Sequence, residues 1–295
     1  MESARQCGCD CILAIGGGSA LDVGKTAALA PLNRSVRDFL SGAVRATDPR
    51  VLPILAVPTT AGTGSEATVS VVFTDPEALK KASFRGDSLL PKTVILDREL
   101  LKTCPTSVLA HSGLDALVQS IESYVSRGAN RLTDALALEA AILIGQSLPA
   151  ALRDPDDSRV GEALLLGSYL AGVALNTSRL GLVHGLAHPL GARTGAAHGL
   201  LCGLLMPHVL RFNRGYDLEK SHDLAVALCA PGEDLAGFLA DLLERCECPT
   251  RLSSLGVSES DLPIVAAEAL PSGSTQANPR PVSEEDALRV LRAAF

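Results

Sequence analysis

Residues 11–31 read CILAIGGGSALDVGKTAALAP, and this stretch decides the architecture. Residues 11–15 form a short apolar run that stops at Gly16-Gly17-Gly18-Ser19, after which residues 20–30 suit a helix closed by Pro31. Apolar run, glycine turn, then helix is the rhythm of an α/β sheet whose turns face a ligand. Adjacent glycines let the main chain approach that ligand closely, and amides at a helix start hold a phosphate. Gly24-Lys25-Thr26 has the ending of a Walker loop, but the glycine required five residues earlier is Ser19. GGGS is not the ordinary Rossmann G-x-G-x-x-G either. A tight turn without a ligand is the alternative reading.

A second unit of the same kind follows. The apolar run 52–57 meets Pro58-Thr59-Thr60-Ala61-Gly62-Thr63-Gly64-Ser65, and residues 62–67 fit the looser G-x-G-x-x-A form. VSVVF at 69–73 and TVIL at 93–96 are further strand candidates. After about Ser107 the strand signal ends. Helical patterns run over 109–124, 129–148, 160–175, 182–190, 199–209, 235–245, 262–269 and 284–294. Pro149 is expected to close the second of these, and Ser283 with Asp286 to open the last. The expected fold class is α/β, with a partial, truncated Rossmann-like dinucleotide-binding sheet over 1–107 and an all-α metal and substrate domain over 108–295.

Composition narrows the function. A chain of 295 residues with 47% hydrophobic and 20% charged residues is globular, and its formal charge of −7 argues against nucleic acid as a partner. Aromatics are only 3%, with no Trp, so base-stacking platforms are unlooked for. The most apolar stretch, 163–175, is short for a membrane span, and the N-terminus MESARQCGCD has no signal-peptide pattern. A cytoplasmic protein is expected. Its eight cysteines include no Cys-x-x-Cys pair; Cys7, Cys9 and Cys11 alternate as on one strand face, as do Cys246 and Cys248. Buried thiols are expected.

The helical part carries a second constellation. Asp115 and Gln119 are four apart on one helix face, with Glu122 at i+7 from Asp115, and His184 and His188 are also four apart. His198 opens the next helix. One carboxylate and several imidazoles suit a divalent metal; histidines satisfying backbone carbonyls at helix ends are the alternative. His111, His208 and His222 read as structural or surface residues.

The strings AIGGGSALDVGK (14–25), VPTTAGTGSEAT (57–68), GLDALVQSIESYVS (113–126), GLVHGLAHPLGARTGAAHG (181–199) and NPRP (278–281) together resemble the iron-containing, or group III, alcohol dehydrogenase family. The resemblance runs over nearly the whole chain. It implies that Gly17, Gly18, Ser19 and Asp22 contact NAD or NADP, with Thr59, Thr60 and Ser65 beside it and Lys81 reaching the ribose. It places the metal, Fe or Zn, on Asp115, position 119, His184 and His198, and His188 near substrate and nicotinamide as a catalytic proton relay. Position 119 is Gln where the iron enzymes usually have His, and an amide oxygen is a poorer ligand than imidazole. The family also begins with a half-domain ahead of the GGGS strand; its absence here implies an uncovered sheet edge, so that either the chain is a fragment or another chain covers the edge, and a homo-oligomer is expected.

The expected activity is hydride transfer between nicotinamide and a small alcohol or aldehyde, with a metal acting as Lewis acid. Two alternatives stand beside it. One is a catalytically degenerate scaffold or fragment of the family. The other is a zinc-dependent or metal-independent relative acting on an anionic substrate, which Arg193 would meet.

Overall fold

The computed structural model describes residues 1–75, 80–154 and 156–295, with backbone alone at residues 74, 75, 80, 81 and 233. Helix α1 (Glu2–Cys7) leads into strand β1 (Ile12–Gly16), helix α2 (Gly18–Ala27) and the short helix α3 (Val36–Leu40). Strands β2 (Ile54–Pro58), β3 (Ser70–Asp75), β4 (Lys80–Arg85) and β5 (Thr93–Val94) follow. Then come helices α4 (Thr106–Val125), α5 (Arg131–Arg153), α6 (Ser158–Ser178), α7 (Leu182–Thr194) and α8 (His198–Asn213). The chain closes with α9 (Leu218–Ala227), α10 (Leu235–Arg245), α11 (Asp261–Ala269), α12 (Gly273–Ala277) and α13 (Glu284–Ala294).

β1, β2 and β5 make a parallel sheet in that order, with Ile12 opposite Ile54 and Gly16 opposite Pro58. This register delivers both turn sequences to the same end of the sheet. β1 is one of the two edge strands, and its Leu13 and Ile15 are 58% and 54% exposed. β3 and β4 form a separate antiparallel hairpin. The β4 sequence KKASFR gives no apolar run to mark it as a strand; Phe84 anchors it by stacking on Phe39 and Phe73 at 5.4 and 6.5 Å.

In the helical part α4 is central: every residue from Gly113 to Val125 is buried, beneath α5, α6 and α8. A helix enclosed on all sides must place its polar residues in the interior, and Asp115, Gln119 and Glu122 are there. Ser283 and Asp286 form the expected reciprocal cap of α13.

Three expectations are corrected. Pro149 does not end α5, which runs on to Arg153, because Leu148 and Ala151 on either side of it are buried and hold both halves in place. The helix former-rich ESARQC makes α1 instead of a strand, Gly8 ends it at φ 60°, and Cys7 and Cys11 are exposed. Cys202, Cys246 and Cys248 are the buried thiols, the last two in the turn that ends α10. Finally, α5 and α6 are long and apolar enough to cross a membrane by length and composition, unlike the shorter stretch 163–175. Their apolar faces, including Ala140, Ile144, Leu148, Leu164 and Ala171, are turned into the helical core and do not indicate a membrane protein.

Candidate functional site

At the sheet end, Gly16 has φ 143°, Gly17 is the extended residue before α2, and α2 begins at Gly18 without a side-chain cap. The Thr59 amide donates to the Gly16 carbonyl at 3.0 Å, which ties the second turn to the first. A Cβ on Gly18 would fall 2.6 Å from Thr63 Cγ2, and one on Gly17 would fall 3.3 Å from the Thr60 side chain. The glycines are therefore what lets the two turns touch. Gly17, Gly18, Thr59 and Thr60 are half-buried and Ser19 is exposed, so these five expected residues line one open corner at the start of α2.

Asp22 and Ser65 sit beneath that corner. The Ser65 hydroxyl donates to Asp22 Oδ1 at 2.5 Å, and the Val72 amide donates to Asp22 Oδ2 at 2.9 Å. Asp22 is buried, which raises its pKa against the lowering effect of these bonds. Lys25, in the Walker-like ending, is also turned inward, and its Nζ donates to the carbonyls of Thr68 and Ser70 at 2.8 and 2.9 Å. Burial pulls Lys25 down to about 8 and pushes neighbouring Glu66 up to about 7. Lys81 lies on β4, but its side chain is outside the described residues.

The helical half brings its histidines together. Asp115 Oδ1 lies 3.4 Å from His184 Nε2 and 3.7 Å from His198 Nε2. The His188 ring stacks on that of His198 with centroids 5.1 Å apart, so all three histidines share one pocket. Cys202, one turn after His198 on α8, places its Sγ 3.8 Å from His184 Nε2 and 3.6 Å from His198 Nε2. Asp115, His184, His198 and Cys202 offer donor atoms all within 4.8 Å of one another. Asp115, His184 and Cys202 are buried, and a buried carboxylate calls for a cation. This donor set fits a divalent metal.

Glu122 fixes the orientation of the set. Its carboxylate receives His184 Nδ1–H at 2.7 Å, with the Gly181 and Val183 amides at 2.9 and 2.7 Å, so Nε2 is left facing Asp115. Burial disfavours the imidazolium of His184, yet the Cys202 sulfur and the two carboxylates outweigh it and hold the pKa well above the ordinary histidine value. Burial pushes the Cys202 thiol up to about 11. A carboxylate behind a metal-binding imidazole typically governs ten- to a hundredfold of metal affinity. Glu122→Gln is therefore expected to weaken metal binding by roughly that factor, read by chelator competition, with the helical content unchanged.

The family resemblance named Asp115, His184, His188 and His198 for one site; Glu122 was noted on the same helix without a role, and Cys202 was missed. Glu122 was visible as the i+7 neighbour of Asp115, and Cys202 as the i+4 neighbour of His198. Arg193 is not turned to this pocket as a free cation: it forms a two-pronged pair with Glu268 at 2.6 and 3.0 Å. That removes the observation behind an anionic substrate.

The family model for iron-containing alcohol dehydrogenase matches residues 1–98, and the C-terminal model of the Fe-containing alcohol dehydrogenase family matches residues 109–295. The chain belongs to the iron-containing alcohol dehydrogenase family. Lactaldehyde reductase of Escherichia coli K12 is 35% identical to this family member over 98% of the chain and 78% of its own length. NAD-dependent methanol dehydrogenase of Bacillus methanolicus is 34% identical over 99% and 78%. The crystal structure of a 1,3-propanediol oxidoreductase superposes with a TM-score of 0.93 at 33% identity, covering all of this chain and 79% of that one. Membership makes this chain an oxidoreductase of the alcohol dehydrogenase and aldehyde reductase kind.

Proposed function

We propose that this family member is a metal-dependent, NAD(P)-linked alcohol dehydrogenase, working in reverse as an aldehyde reductase on small substrates. The convergence of Asp115, His184 and His198 beside His188 carries the reading. Residues 1–107 serve the dinucleotide and 108–295 the metal and substrate. Gly17, Gly18 and Ser19 present the start of α2 to the pyrophosphate, where main-chain amides and the helix dipole favour negative charge. Thr59 and Thr60 wall the same corner. Asp22 and Ser65 hold the second turn against the first, and Lys81 is proposed at the ribose.

A divalent cation held by Asp115, His184 and His198 would supply Lewis-acid polarisation of the alcohol or carbonyl oxygen. Asp115 balances its charge, and Glu122 keeps His184 in the tautomer that binds through Nε2. His188, half-buried and stacked on His198, would carry the hydroxyl proton toward solvent, and a bound nicotinamide would supply or accept the hydride. The eight free cysteines, three of them exposed, suit a reducing cytoplasm, and the bared Leu13 and Ile15 on edge strand β1 suit a homo-oligomer.

The test is a fluorescence titration of the metal-analysed chain with NADH and NADPH, followed by aldehyde-dependent oxidation of whichever binds. Saturable binding, turnover, loss of turnover on chelation and its return with added Zn²⁺ or Fe²⁺ are expected. No saturable binding of either nucleotide ends the reading. Within it, His188→Gln should keep metal and nucleotide but lower turnover by about tenfold to a hundredfold and alter the pH profile; an unchanged profile removes the relay.

A further inference from the structure

Position 119 carries Gln, and the donor it does not supply reappears on another helix. We propose that Cys202 is the fourth protein ligand, moved from α4 to α8, which makes an Asp-His-His-Cys centre suited to zinc, an ion that can expand to five ligands when a substrate oxygen binds. The inference rests on the metal reading above and deepens it.

Four separations carry the argument. A tetrahedral ion with Zn–S of about 2.3 Å and Zn–N or Zn–O of about 2.0–2.1 Å has S–N edges near 3.6 Å and N–O edges near 3.4 Å. The Cys202 Sγ edges to His184 and His198 Nε2 are 3.8 and 3.6 Å, and those from Asp115 Oδ1 to the same nitrogens are 3.4 and 3.7 Å. Four of the six edges of such a tetrahedron are thus matched to within about 0.3 Å, and the two remaining separations lie within 4.8 Å. His198 and Cys202 are i and i+4 on α8, and His184 projects from α7, so three helices each contribute to the set.

Gln119 is buried on α4 one turn beyond Asp115, and its Oε1 has no hydrogen-bond partner among the described residues. It is therefore the competing donor. Donor chemistry decides between them: a thiolate binds a borderline ion far more strongly than a neutral amide oxygen, and it shifts preference from iron toward zinc. On binding, the Cys202 S–H proton is released to solvent as the metal–sulfur bond forms, with no change of oxidation state.

The test is X-ray absorption at the zinc edge on the full chain loaded with Zn²⁺, together with near-ultraviolet spectra of the Co²⁺-loaded chain. The expected result is one zinc per chain, a single sulfur at about 2.3 Å and a sulfur-to-cobalt charge-transfer band. Cys202→Ser should lose both signals and bind zinc at least about tenfold more weakly, whereas Gln119→Ala should keep both. Bound zinc with only nitrogen and oxygen neighbours overturns the proposal and leaves the metal reading standing, as does a sulfur shell that survives in Cys202→Ser. Absence of stoichiometric metal from the wild-type chain overturns both. The wild-type spectra decide even if a variant fails to fold.

Discussion

Replacing Asp115 by Ala is expected to strip the chain of metal and to lower alcohol oxidation at least about a thousandfold, a barrier increase of about 4 kcal/mol. The carboxylate is buried and faces the Nε2 atoms of both His184 and His198, so in the proposed site it would supply a donor atom and the charge that favours a cation. Its loss leaves imidazoles and a thiol around a water-poor hole. Asp115→Asn keeps the shape and one oxygen but not the charge, and an intermediate loss is expected. Metal analysis of the purified variants, alongside turnover with the nucleotide that binds, reads both effects. An Asp115→Ala chain with full metal and undiminished turnover would mean that the pocket is not the reaction centre.

The second large effect needs no donor to be touched. Gly199, beside His198 at the start of α8, lies so close to α4 that an added Cβ would collide with the His111 carbonyl oxygen and come within 2.9 Å of Asp115 Cβ. Neither neighbour can step aside, since one is main chain of α4 and the other is the Cβ that carries the buried Asp115 carboxylate. Gly199→Ala must therefore wedge α8 away from α4. A cost of about 3 kcal/mol or more is expected, equivalent to a melting temperature lower by about 6 °C or more. Zinc affinity should fall by more than about a hundredfold, because donors on the two helices are no longer held at a common distance. Gly191→Ala on α7 is the control, since its Cβ would meet Leu201 Cδ1 at an ordinary 3.5 Å. If Gly199→Ala melts and binds zinc like the control, the close approach of the helices has no bearing on the site.

Much of this arrangement was legible in the chain. The strand–glycine–helix rhythm of 11–31 and its echo at 52–67 located the sheet end, because a backbone that must touch its neighbour or a ligand excludes side chains. Helix spacing put His184 and His188 on one face, but it was the family resemblance that named Asp115, His184, His188 and His198 as one site. Cys202 was hidden for a physical reason: a buried thiol reads as a small apolar residue until the two helices that bring imidazoles to it are in place. The Walker ending at Lys25 was rightly set aside on Ser19, and its amine is spent on the carbonyls of Thr68 and Ser70. β4 was invisible because only pairing with β3 makes a strand of KKASFR.

The start of α7 has a kinetic meaning as well. No side chain of its own caps it; its amides are held by Glu122, 61 residues before Val183, and by Asn278 Oδ1, 96 residues after Leu182. A helix of 13 residues with a proline inside it has little tendency to nucleate alone. Two distant loop closures must come first, and such closures are slow steps. The histidine pocket is accordingly expected to be completed late in folding, after Asn278 docks on the start of α7. A C-terminal deletion that removes Asn278 is expected to leave a chain rich in helix yet poor in metal, read by circular dichroism and metal analysis.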